Sequence, residues 1–193
     1  SAAIAAYERA LALNISGPEE VFLNKGVIFA DDLLDPARAQ EAYRAALAIN
    51  PRYGNARFNL ANTLEDLGDR EGAASEYRML LQQAPGEPEP LARLANLSKI
   101  SSPGDPLVVQ LQSALARTEL PASARASLGF ALGRLLDQAG AYDHAFEAFK
   151  DANAQSLASR DPKQPGYDPA RQDALVAALT SLPAPAPIAP ASA

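Results

Sequence analysis

Residues Asn55–Pro85 read NARFNLANTLEDLGDREGAASEYRMLLQQAP, and their spacing decides the fold. Phe58, Leu60, Ala61 and Leu64 recur at the three- and four-residue intervals that line one face of a 3.6-residue helix. Gly68 follows Leu67 and ends that helix, because glycine takes the left-handed conformation without a Cβ clash. Asp69 offers an N-cap to a second helix, whose inner side carries Gly72, Ala73, Tyr77 and Leu80. Pro85 closes the unit, since it cannot donate the next helical hydrogen bond. The stretch therefore predicts two amphipathic helices joined by a tight turn.

The pattern recurs on both sides. Pro51 and Pro85, Tyr43 and Tyr77, and Ala39 and Ala73 each stand 34 residues apart. Upstream, residues 18–52 repeat the unit. Phe22, Gly26 and Phe29 alternate large, small and large, the turn is one residue longer, and Asp35-Pro36 opens the second helix as N-cap and first turn. Residues 1–16 match a second helix alone, with Ala3, Tyr7, Ala10 and Leu11 aligning with Ala39, Tyr43, Ala46 and Leu47. The chain is thus expected to begin inside a repeat.

Downstream, residues 87–120 keep the phase but lose the turn signature. Leu91 and Leu94 follow Arg57 and Leu60, and Leu111 and Ala114 follow Tyr77 and Leu80, while the turn becomes Ser101-Ser102-Pro103-Gly104 and Asp105-Pro106 restarts a helix. Residues 121–156 are regular again through Leu132, Gly133, Leu136, Gly140, Tyr142, Ala145, Phe149 and Ala152, with a first helix starting near Ala122. The repeat array is read as residues 1–160. Residues 161–182 are read as a polar linker and a helix opened by Asp168-Pro169. That helix carries Leu175, Ala178 and Leu179 as its stripe and is expected to cap the array. Residues 183–193 are a Pro/Ala-rich tail of spacer composition.

A 34-residue helix–turn–helix period with a small residue early in the second helix, an aromatic four residues later and a closing proline resembles the tetratricopeptide repeat. The resemblance covers most of the chain. It implies an all-α fold, a right-handed α-solenoid of antiparallel helix pairs wound into a superhelix. The run Phe130–Ala154 and the later YDPARQDALVAAL resemble a narrower group, the repeat region that precedes the sulfotransferase domain of bacterial tetratricopeptide–sulfotransferase proteins. Asn153 and Tyr167-Asp168-Pro169 are the parts of that match outside the generic repeat. The Gly-rich loop for a nucleotide sulfate donor is missing from this sequence, so the resemblance places any transfer activity outside the chain.

Composition narrows the function classes. Hydrophobic residues make up 48% of the chain but aromatics only 6%, with much of the apolar content alanine, which suits close helix packing. Lacking cysteine, the sequence has no disulfide frame, Cys-ligated zinc or thiol nucleophile. A net charge of −6 argues against a phosphate-backbone partner. No apolar run approaches the ~20 residues of a bilayer span, and the chain is read as cytoplasmic. His144 is the only histidine and is placed on a solvated helix face. Neither a metal set nor a catalytic triad assembles from the sequence, so no enzyme activity and no cofactor are expected.

The polar residues of the first helices carry the functional expectation. In this architecture those helices line the concave surface. Asn24, Asn59 and Asn62 fall on the groove side, Arg93 and Asn96 follow Asn59 and Asn62 by 34 residues, and Arg134 takes the Asn62 place in the last unit. The row resembles the asparagine ladder of the O-linked N-acetylglucosamine transferase superhelix, where side-chain amides bind an extended peptide. Asparagine offers both donor and acceptor, so a row of them reads peptide groups without demanding one side chain. The competing reading is that these residues fill polar gaps between repeats. Arg93, Lys99 and Arg134 would favour an acidic or carboxylate ligand. The leading expectation is a scaffold that binds a partner protein's extended segment or helix in its groove. The alternatives are a substrate-positioning region for a sulfotransferase domain and a structural module that self-associates through the open half repeat.

Overall fold

Why pairs of helices form is visible at their ends. The computed structural model describes residues 2–160 and 169–180, with backbone alone for 179 and 180. The helices are α1 (Ala2–Ala12), α2 (Pro18–Val27), α3 (Pro36–Ile49), α4 (Gly54–Asp66), α5 (Arg70–Gln83), α6 (Pro88–Leu97), α7 (Pro106–Leu115), α8 (Ala122–Gln138), α9 (Tyr142–Ala158) and α10 (Pro169–Thr180). Asp35, Asp69 and Asp105 cap α3, α5 and α7, their carboxylates accepting from the amides of Arg38, Gly72 and Leu107 at 3.1, 2.9 and 2.9 Å. Each satisfies an amide that has no partner inside its helix. Gly68 adopts φ 83°, the left-handed turn expected of it.

The first helix of each pair but α6 packs broadly on its second, and each second helix packs on the next first helix, giving an α-solenoid over residues 2–159. Helix α10 belongs to a separate unit and spans Pro169–Thr180. Ala39, Ala73 and Tyr77 have no accessible surface, and Tyr43 almost none, so the expected small and aromatic positions form the centre of the pairs. Close approach depends on glycine in two of them. A Cβ at Gly26 would overlap the Tyr43 ring, and one at Gly133 would sit 2.7 Å from the Phe149 ring.

Two local features depart from the sequence expectation. The extra residue of the upstream unit does not lengthen the turn. It is absorbed as a π-turn, Ile28–Asp32, at the end of α2, where the Leu33 amide donates to the Ile28 carbonyl five residues back at 3.1 Å. A single insertion is accommodated in this way without disturbing the pairing further along. Leu34 then occupies the place of Gly68, one period earlier, and takes φ 50° with a β-carbon.

The other departure lies in the third pair. α6 and α7 have 10 residues each, against 13 and 14 in α4 and α5. They barely touch one another, whereas α6 packs broadly on α8. The apolar interior divides at this point. Leu94 joins a cluster built on α2–α5, while Leu91, Ala92 and Ala95 of the same helix join a second cluster built on α7–α9.

Candidate functional site

The six residues singled out from the sequence sit on α2, α4, α6 and α8, the first helices of the four pairs. The structure joins four of them in two polar networks. In the first, the buried Tyr77 reaches across from α5 and its Oη donates toward Asn62 Oδ1 at 2.6 Å and Glu65 Oε2 at 3.0 Å. One phenolic proton serves both acceptors. The same Glu65 oxygen lies 3.8 Å from Arg93 Nη1 on α6. Burial, followed by the Glu65 hydrogen bond and charge, pushes the Tyr77 phenol far above its ordinary value.

The second network closes the end of α6. Arg134 on α8 donates Nε to Asn96 Oδ1 at 3.2 Å and Nη2 to the Ala95 carbonyl. Arg70, at the start of α5, donates to the Asn96 and Leu97 carbonyls at 3.3 and 3.5 Å. Two guanidiniums thus satisfy terminal carbonyls that have no partner inside the helix and meet the negative end of its dipole. Burial, and then the nearby Arg70 charge, lower the Arg134 guanidinium from its ordinary value. Arginine only donates, so the Asn96 amide must turn its oxygen to Arg134 and its NH2 away.

Asn24 and Asn59 are half-buried, and their side chains form no hydrogen bond among the described residues. The Asn59 carbonyl, by contrast, accepts from Thr63 Oγ1 at 2.8 Å. Arg93 and Asn96 are exposed, and Asn62 and Arg134 are half-buried.

Sequence reasoning missed Tyr77, Glu65 and Arg70 as partners of these residues. A core tyrosine was a usable signal, since a buried phenol needs a hydrogen-bond partner. Glu65, beside Asp66 at the end of α4, is half-buried and holds Tyr77. His144 is exposed as expected. Among the described residues no cluster of His, Cys, Asp or Glu could hold a metal, and no helix is long and apolar enough to cross a membrane. Of the residues behind the sulfotransferase resemblance, Asn153 spends its amide within α9, donating to the Phe149 carbonyl at 2.8 Å. Tyr167 and Asp168 lie outside the described residues.

Antiparallel helix pairs stacked by their second helices onto the next first helix define a helical-repeat fold. Residues 30–88 match the family model described as tetratricopeptide repeat. Solved structures of MamA are similar in fold. One, "Crystal structure of MamA", is 15% identical with a TM-score of 0.63 and covers 80% of this chain and 87% of its own. A second, "Crystal structure of MamA protein", is 14% identical with a TM-score of 0.63 and covers 86% and 87%. A third, "MamA MSR-1 C2", is 18% identical with a TM-score of 0.56 and covers 74% and 79%. At such identities the likeness establishes the fold. No curated protein sequence matches the chain.

Proposed function

We propose that this chain is a protein-interaction scaffold whose first-helix face binds an extended segment of a partner protein. The observation that carries the reading is the state of the asparagines. Asn24 and Asn59 keep side-chain amides that no described residue satisfies, on α2 and α4 of successive pairs. A half-buried amide without an internal partner is a group that a ligand's peptide units can satisfy through both donor and acceptor. Asn96 adds a donor whose direction Arg134 fixes, and it reads a ligand carbonyl. Asn62 is shared with Tyr77, so its contribution is mainly to hold α4 on α5. Arg93, paired only loosely with Glu65, supplies a cation beside this row.

The test uses Asn24→Ala combined with Asn59→Ala, because neither side chain forms a hydrogen bond among the described residues. Binding of wild type and variant to an array of unstructured synthetic peptides is compared, with thermal melts as control. The reading predicts peptides that bind wild type and lose about tenfold or more in affinity to the variant at unchanged melting temperature. Equal binding of every captured peptide by both proteins contradicts it.

A further inference from the structure

The third pair borders a cleft, and the 34-residue register names the cause. Ser98 stands where Leu64 stands one repeat earlier, and Ala114 stands where Leu80 stands. Two buried leucines are therefore replaced by small side chains. Leu107 stands where Ala73, fully buried, lets α4 and α5 approach closely. Bulk at the crossing point props α7 away from α6, and the missing leucines leave nothing to refill the gap. Ser98 also ends α6. Its backbone turns extended, at φ −87° and ψ 154°, and its hydroxyl donates to the Leu94 carbonyl at 2.7 Å. The result is a cleft of about 810 Å³ among the end of α5, α6 and α7.

The chemistry of this cleft is amphiphilic and locally basic. Leu81, Leu94 and Leu107 form an apolar floor, and Val109 adds an aliphatic side chain that is 52% exposed. Arg78 lies on the rim and has no carboxylate partner among the described residues. Arg117 lies on the other side, held by the Gly86 carbonyl at 3.0 Å and Glu119 at 2.8 Å. Asp105 is the one carboxylate of the lining, and its oxygen is engaged in capping α7. A chain of net charge −6 thus opens an apolar cleft whose free ionic group is a guanidinium.

We propose that this cleft is a second docking site, bordered by the second helices α5 and α7, for an acidic, leucine-bearing segment of a partner protein. Apolar side chains of the segment cover Leu94, Leu107 and Val109, and a carboxylate pairs with Arg78. The site uses none of the first-helix asparagines, so it stands independently of the groove reading.

The test is fluorescence anisotropy on the full chain, with a labelled synthetic peptide carrying leucines at helical spacing and glutamates elsewhere. A second peptide has lysine in place of every glutamate. The glutamate peptide is expected to bind and the lysine peptide is not. Arg78→Glu, at an exposed position, is expected to weaken binding about tenfold and to reduce its salt dependence. Ser113→Trp, also exposed, fills the cleft and is expected to abolish binding, with the circular dichroism spectra of both variants unchanged. The Asn24→Ala, Asn59→Ala protein is expected to bind as wild type does. Equal binding of the two peptides, full binding by Ser113→Trp, or loss of binding only in the asparagine variant overturns the proposal. So does a failure of the glutamate peptide to bind while decanoate does, which would mark a site for small amphiphiles.

Discussion

The second and third helix pairs are written in the same 34-residue pattern and packed in different ways. Between α4 and α5 the contact is sealed by Ala73 and Tyr77 and crossed by a short ion pair, Arg57 Nη1 to Glu76 Oε2 at 2.6 Å. Arg57 is buried, its Nη2 donates to the Pro51 carbonyl at 2.7 Å, and its Nε has no partner. One repeat later Leu91 and Gln110 occupy those two positions. Asn62 is held by Tyr77 of its own pair, whereas its counterpart Asn96 is held by Arg134 of the following pair. α6 has exchanged its partner: it is stabilised by α8 more than by α7. The difference teaches that the repeat pattern fixes which helices exist and in what order. A few side chains at the crossing points decide which neighbours close on each other.

The largest expected effect tests the sealed pair. Glu76→Ala strands a buried guanidinium, which costs about 3–5 kcal/mol at such sites, read from urea unfolding. Arg57→Leu with Glu76→Gln imports the residue types of the third pair and is expected to recover most of that loss. A double variant as unstable as Glu76→Ala would show that the pair is needed for more than charge balance. The next effect moves the prop. Ala73→Leu overpacks the α4–α5 contact and is expected to cost about 1–3 kcal/mol. The reverse change, Leu107→Ala, removes bulk from a contact that is already open and is expected to cost less in the same assay. Equal costs would break the comparison.

A smaller effect concerns the turns. Leu34 is 79% exposed and left-handed where the second pair has Gly68. Leu34→Gly relieves strain without losing burial and is expected to stabilise by roughly 0.5–1 kcal/mol. The smallest probe is pH. Burial raises the Tyr43 phenol from 10.0 to about 12, and Tyr77 is raised further. Each phenol is neutral in the fold, so its contribution is complete below pH 10 and is lost as pH rises through the folded values. Unfolding at fixed urea is expected to become easier between pH 10 and 12, less so in Tyr43→Phe.

Much of this architecture was legible in the sequence. Asp35, Asp69 and Asp105 announce helix starts because a short carboxylate beside a first turn has few other uses. Gly26 and Gly133 mark close approach because their aromatic partners recur in phase. The π-turn was not legible, since an inserted residue reads as a longer loop unless its hydrogen bonds are seen. Arg57 was not legible as core, because a charged side chain is buried only when a distant partner such as Glu76 meets it. The six candidate residues were picked out by register alone. Register cannot tell Asn24 and Asn59, which have no internal partner, from Asn62 and Asn96, which are engaged by Tyr77 and Arg134. The looseness of the third pair was signalled by its lost turn signature. The prop at Leu107 carried no warning, because leucine is as acceptable as alanine in any helix.

The central claim is that α7 is held less firmly in its pair than α5 is in its own. Native-state hydrogen exchange measures this directly, because each helix reports the free energy of its own opening. Amides of α7, Pro106–Leu115, are expected to exchange through openings well below the global unfolding free energy, while those of α5, Arg70–Gln83, exchange near it. Equal protection of the two helices would contradict the account.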